Sequence, residues 1–352
     1  MQRLRKDPPA RRHPVEDPVL PTLRTLRAAP GTGPQGGRKN LRARLTDERG
    51  GSAVLIALLL VPLLGFTAIA VDIGALYAEK ARLQTAADAA ALAVAADCAR
   101  GACGDMQATA QSMVDANTGS ADAAPPVLAT NPNRVTVSGQ TPKEHWFAPV
   151  IGHDATTVSA TATVAWGGPS GGTAVLPLAF SWCEFEQQTG GGLPSGTTEH
   201  TVYLTKSSET VDCTGPSENV VPGGFGYLVS DPGDCRATSA VAERSYSSTG
   251  NTPPSSCSAG DFASWVGRTV LLPIFDRFGD TGSNAWYRVY GYAAFRLTGY
   301  HLGGQFSSTS RPCGGSERCV TGYFTRFVDL GHAFDYDSDA PQLGAWVLRL
   351  IR

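Results

Sequence analysis

Gly168-Pro169-Ser170-Gly171-Gly172 carries the letters of a nucleophile elbow, in which a sharp strand-to-helix turn presents a serine hydroxyl for attack. The stretch sits among glycines with no helix signature after it, so a chance match inside a linker is the expectation. Phe278-Gly279-Asp280-Thr281-Gly282-Ser283 echoes the aspartic-protease turn, whose chemistry needs two aspartates sharing one proton. The chain holds one copy. His145, His153, His200, His301 and His332 show no short metal-ligand spacing, which points to surface or hydrogen-bonded roles. No catalytic residue, cofactor site or metal site is therefore assigned. The cysteines are the remaining reactive set: Cys98, Cys103, Cys183, Cys213, Cys235, Cys257, Cys313 and Cys319, with no CxxC or Cys/His zinc spacing among them. Disulfides are expected. CARGAC and CGGSERC enclose short glycine-containing loops, predicting Cys98–Cys103 and Cys313–Cys319 as local bridges. The other four leave three arrangements open, with a preference for Cys213–Cys235 nested inside Cys183–Cys257.

Disulfides persist outside the cytoplasm, and the stretch ahead of them supplies a way there. Gly50 to Val71 is an uncharged run of 22 residues, flanked by Asp47, Glu48 and Arg49 and by Asp72. At about 1.5 Å per residue it spans roughly 33 Å, enough for a hydrocarbon core of about 30 Å. Up to Arg49 there are 12 Lys/Arg against 5 Asp/Glu, and from Gly50 onward 17 against 26, so a net of +7 faces a net of −9. The positive-inside rule keeps residues 1–49, read as a basic disordered tail, in the cytoplasm and exports the remainder. Ala68-Ile69-Ala70 satisfies the small-x-small rule for a signal peptidase. The run nevertheless exceeds the usual h-region of about 7 to 15 residues, so a retained anchor at 50–71 is expected. The tail lacks a fold motif or aromatic interleaving for nucleic acid, and GTGPQGG at 31–37 lacks the Gly-Lys-Ser/Thr ending of a phosphate loop.

Residues 72–101 follow as an alanine-rich stem, with 12 alanines between Asp72 and Arg100 and no proline. Ile73, Leu76, Leu83, Ala87, Ala90 and Val94 recur at helical spacing and form a shallow apolar stripe. Such a stripe requires a partner, either the protein's own outer domain or another subunit. Anchor and stem together predict one nearly continuous helix, and Arg100-Gly101 signals its end.

Glu48-Arg49-Gly50, VDIG at 71–74, Tyr77, Leu83-Gln84 and AADAAALA at 86–93 closely resemble the N-terminal module of TadE/TadG-like proteins of the tight-adherence (Flp) pilus system, over about residues 47–103. HWFAPVIGH at 145–153 and NVVPGGFGYL at 219–228 resemble actinobacterial members of that group. The resemblance implies a structural or assembly role at the membrane. It does not extend to metal-dependent adhesion, because the Asp-x-Ser-x-Ser motif of a von Willebrand A-type domain is missing. Position five after a cut at Gly50 is Leu55, whereas pseudopilins of the family carry Glu there, so processing at that site is not expected.

The outer region divides by composition. Residues 105–166 read as a small β region, with RVTVSG at 134–139 and ATTVSATATVAWG at 155–167 as strands and Trp146 and Phe147 as core anchors in the connection between them. GGPSGG at 167–172 reads as a linker. Residues 173–352 hold AVLPLAF, TVYLT, GYLVS, TVLLPIF, YRVYGYAAFRLTGY and WVLRLI, short strands between Gly, Pro, Ser and Asn clusters. The predicted class is a membrane-anchored α+β protein: one transmembrane helix, an alanine-rich stem and a β-rich, disulfide-stapled extracytoplasmic region. The expected function is a non-enzymatic, single-pass structural or assembly component of a Tad/Flp-like pilus or associated secretion apparatus. Its partners would be the lipid bilayer, other pilus components and copies of itself through the stem, without nucleic acid or small-molecule substrate. The alternative is an anchored exported hydrolase using Asp280 or Ser170.

Overall fold

The computed structural model describes residues 49–351, and the basic segment preceding Arg49 lies outside them. The chain divides into two compact units at Val61 and Pro62. Helix α1, Arg49–Ala99, begins in the first and ends in the second. It is the one helix among the described residues long and apolar enough to cross a membrane, and its stretch 52–61 is exposed throughout. Pro62 lies within the helix, as the bilayer tolerates better than water does.

The second unit is built on two eight-stranded sheets. In the first, Asn133–Glu144 and Ala155–Ala174 form a long antiparallel hairpin, running from Arg134 opposite Ala165 to Glu144 opposite Ala155. The C-terminal strand Ala345–Ile351 pairs with the far edge of Ala155–Ala174, antiparallel, placing Leu348 against Trp166. In the second sheet the order is His200–Tyr203, Cys319–Thr325, Trp286–Gly303, Arg268–Gly279, Leu178–Ser181, Phe225–Tyr227. Its aromatic core includes Phe180, Phe295 and Phe324, with Phe180 edge-on to Phe295 at 4.8 Å between ring centres.

A helix of alanines has little side chain to bury, so it seals a core only where a backbone approaches closely. That is what the stem does. Leu83, Ala86, Ala87, Ala90, Ala91, Val94 and Ala95 are fully buried, in one cluster with Val135, Val137, Val164, Trp166 and Trp346 of the first sheet. Gly139 of the hairpin lies beneath Leu83, where an added Cβ would come within 3.1 Å of the leucine Cδ1. Gln84 donates to the Thr161 carbonyl at 3.1 Å, and Lys143 pairs with Glu79 at 3.5 Å, tying the stem to both hairpin strands.

Three expectations are corrected. Residues 167–172 are no linker: they lie inside the strand Ala155–Ala174, flanked by Phe334–Asp337 on one side and Ala237–Ala240 on the other. Their glycines serve close approach, since a Cβ on Gly167 would collide with the Asp337 carbonyl and one on Gly172 with that of Ala333. Residues 105–166 are not purely β. Helix α2, Met106–Thr118, is capped by the Asp105 side chain accepting from the Ala108 N–H at 3.0 Å and ends at Gly119. Trp146 and Phe147 are not core anchors, being 72% and 47% exposed. The hairpin core is already filled by valines and alanines from strand and stem, leaving the connecting loop outside it.

Candidate functional site

Asp72 is the first residue after the uncharged run, and helix α1 carries its carboxylate against the hairpin loop. Its two oxygens accept three successive backbone N–H groups: Trp146 at 2.9 Å to Oδ1, Phe147 at 3.1 Å and Ala148 at 2.8 Å to Oδ2. Consecutive main-chain donors converging on an anion make a nest that favours the ionised carboxylate. Asp72 is 6% exposed although it follows an apolar segment. The loop is closed independently, by the His145 N–H donating to the Asp154 carbonyl at 2.9 Å and by a 2.8 Å contact between His145 Nε2 and Thr156 Oγ1. A short 3-10 turn, Ala148–Ile151, ends at Gly152. The loop is thus held by its backbone, and its side chains are free to face outward.

The stripe residues separate along the helix. Leu83, Ala87, Ala90 and Val94 are fully buried against the protein's own sheet, Leu76 is half-buried, and Ile73 is 48% exposed. Away from the buried positions Tyr77 is 72% exposed, and Lys80 and Arg82 are exposed as well. The own sheet therefore occupies most of the stripe.

All eight cysteines are paired. Cys98 bonds Cys103 just beyond the stem, and Cys313 bonds Cys319. The other pairs are Cys183–Cys213 and Cys235–Cys257, replacing the nested arrangement expected from sequence. Sequential pairing avoids crossing as well as nesting does, so that criterion could not choose. The fold chooses through a two-stranded ribbon, Cys213–Thr214 with Val220–Val221, which carries Cys213 to the start of the helix Trp182–Thr189 where Cys183 lies.

The motifs with catalytic letters are placed in structural roles. Ser170 is half-buried mid-strand, its carbonyl accepting the Val241 N–H at 2.8 Å, so the strand-to-helix turn of an elbow is missing. Asp280 lies in the turn between Arg268–Gly279 and Trp286–Gly303 with φ 58°, and accepts the Trp286 indole N–H at 3.0 Å. Arg244 stacks over that indole at 4.2 Å. His301 is 3% exposed; Arg311 Nη2 donates to its Nε2 at 2.6 Å, which leaves Nδ1–H to donate to Ser307 Oγ at 2.5 Å. Burial, then Arg311 and Arg318, lowers its pKa and keeps the ring neutral. Among the described residues no group of three or more His, Cys, Asp or Glu side chains could hold a metal ion.

In the sequence Asp72 stands only as the flank of the apolar run. The signal that could have located its role was a carboxylate one residue past a membrane-length segment, where an unpaired charge is costly and requires donors.

These features define a class: an α+β protein with one anchor-length helix whose stem is sealed onto its own β layer, stapled by four disulfides. Residues 51–97, covering the anchor and stem, match the family described as putative Flp pilus-assembly TadE/G-like. No match was found among curated proteins or among solved structures.

Proposed function

We propose that this protein is a membrane-anchored, non-enzymatic assembly component of a Tad/Flp-like pilus or associated secretion apparatus. The observation that carries the reading is the match of residues 51–97 to the TadE/G-like family. The charge step of +7 to −9 across the run supports an N-terminus in the cytoplasm, and four disulfides support an extracytoplasmic β-rich region. With the buried stripe engaged by its own sheet, contacts to pilus components or to further copies would use stem surface that the sheet leaves exposed, such as Tyr77. The hydrolase alternative is disfavoured by Ser170 lying mid-strand and by Asp280 serving a turn.

Complementation of a deletion strain tests this. Ser170→Ala and Asp280→Ala chains should restore piliation to the wild-type level, whereas deletion should abolish it. Loss of function in either single variant, with normal protein abundance, would instead support the hydrolase.

A further inference from the structure

The stretch from Trp146 to Gly152 is uncharged and ends a hairpin whose core is already full. Trp146, Phe147, Val150 and Ile151 are exposed by 72%, 47%, 88% and 73%. Four large apolar side chains on one short loop would be a liability in water, yet Asp72 fixes the loop backbone in this posture by three hydrogen bonds. The loop flanks a groove of about 820 Å³ whose other wall is the end of the apolar run itself. Leu64, Ala68 and Ile69 form that wall and Phe147, Val150 and Ile151 face it. Leu64 lies eight residues before Asp72, about 12 Å along the helix, so the groove extends back along the last two turns of the span. Asp72 is the one carboxylate lining the groove, with His145 and His153 at the two ends of the loop and no lysine or arginine among the lining residues.

We propose that the His145–His153 loop is a membrane-interfacial wedge, inserted into the leaflet where the helix leaves the bilayer, and that lipid acyl chains fill the groove. Continuity selects lipid over a protein occupant, because one wall belongs to the segment that spans the hydrocarbon. A tryptophan at the exit of a span is characteristic of an interface belt, and an apolar face embeds there by about 5–10 Å. The Asp72 nest couples the loop to the helix, so insertion fixes the height and tilt of the first sheet above the membrane.

The inference rests on residues 50–71 being a membrane anchor, and retention of the full chain after carbonate extraction reports on that separately. The test is tryptophan quenching in the full-length protein reconstituted into phosphatidylcholine vesicles with acyl chains brominated near the headgroup or near the methyl end. Headgroup-proximal bromine should quench a component of the emission, and Trp146→Phe should remove most of it, since the change is conservative and at an exposed site. Val150→Asp with Ile151→Asp should weaken the same quenching while the chain stays in the membrane. Equal quenching in wild type and Trp146→Phe would overturn the proposal. So would a photo-crosslinker at Val150 that joins two copies of the chain rather than lipid.

Discussion

Replacing Leu83 by alanine tests the seam between stem and sheet. The side chain is fully buried, and its Cδ1 lies over Gly139. Truncating a buried leucine costs about 2–5 kcal/mol, and the rigid alanine-and-sheet surroundings argue for a value near 3. At roughly 2–4 °C per kcal/mol for a domain of this size, the midpoint should fall by about 6–12 °C. Trp166 and Trp346, each 6% exposed, belong to the same cluster and report its melting by fluorescence in the detergent-solubilised full chain. Gly139→Ala supplies the control. Alone it places a methyl 3.1 Å from Leu83 Cδ1 and should cost about 1 kcal/mol by overpacking. In the Leu83→Ala background the same methyl enters the vacated space, so the cost should vanish or reverse, giving a coupling of about 1 kcal/mol or more. A midpoint shift below about 2 °C for Leu83→Ala, or strict additivity of the two changes, would refute direct packing of stem on hairpin.

Further outcomes are expected. Non-reducing peptide mapping should recover Cys183 with Cys213 and Cys235 with Cys257; recovery of Cys183 with Cys257 would reject the ribbon geometry. Removing either of these bridges, which span 30 and 22 residues, should cost about 3.5 kcal/mol on the chain-entropy scale, against about 2 for the bridges spanning 5 and 6. Burial, opposed by the Ser239 hydrogen bond and reinforced by Glu243, pushes the Tyr292 hydroxyl up from 10.0 to about 12. A raised folded value means its contribution is complete below pH 10 and is lost as pH rises toward 12, so alkaline unfolding should flatten over that window in Tyr292→Phe. In intact cells an impermeant thiol reagent should label a cysteine introduced near Ser307, at the exposed Gln305, and not one at Gly33; the reverse pattern would invert the orientation.

The apolar run, the alanine-rich stem and the eight cysteines were legible because each depends on local composition: length against a bilayer, helix propensity, and thiol chemistry in an oxidising compartment. The VDIG and AADAAALA residues carried the family likeness for the same reason. Helix α2 was missed: Asp105 and Gly119 bracket it, but the neighbouring valine-rich strands drew that region into a β reading. What needed the tertiary structure were the long-range pairings. Residues 167 to 172 have the composition of a joint, and only the neighbouring strands at 334–337 and 237–240 reveal that their glycines leave room for neighbouring backbones. The strand Ala345–Ile351 returns to the first sheet from the far end of the chain, which composition along the chain cannot express. Trp146 and Phe147 illustrate the limit most clearly: aromatic residues between two strands suit a core or a membrane surface equally well, and the choice is made by whether the core beneath is already full. Asp72 belongs to the same class, because a carboxylate's partners are backbone N–H groups 74 to 76 residues away, and main-chain donors leave no mark in a sequence.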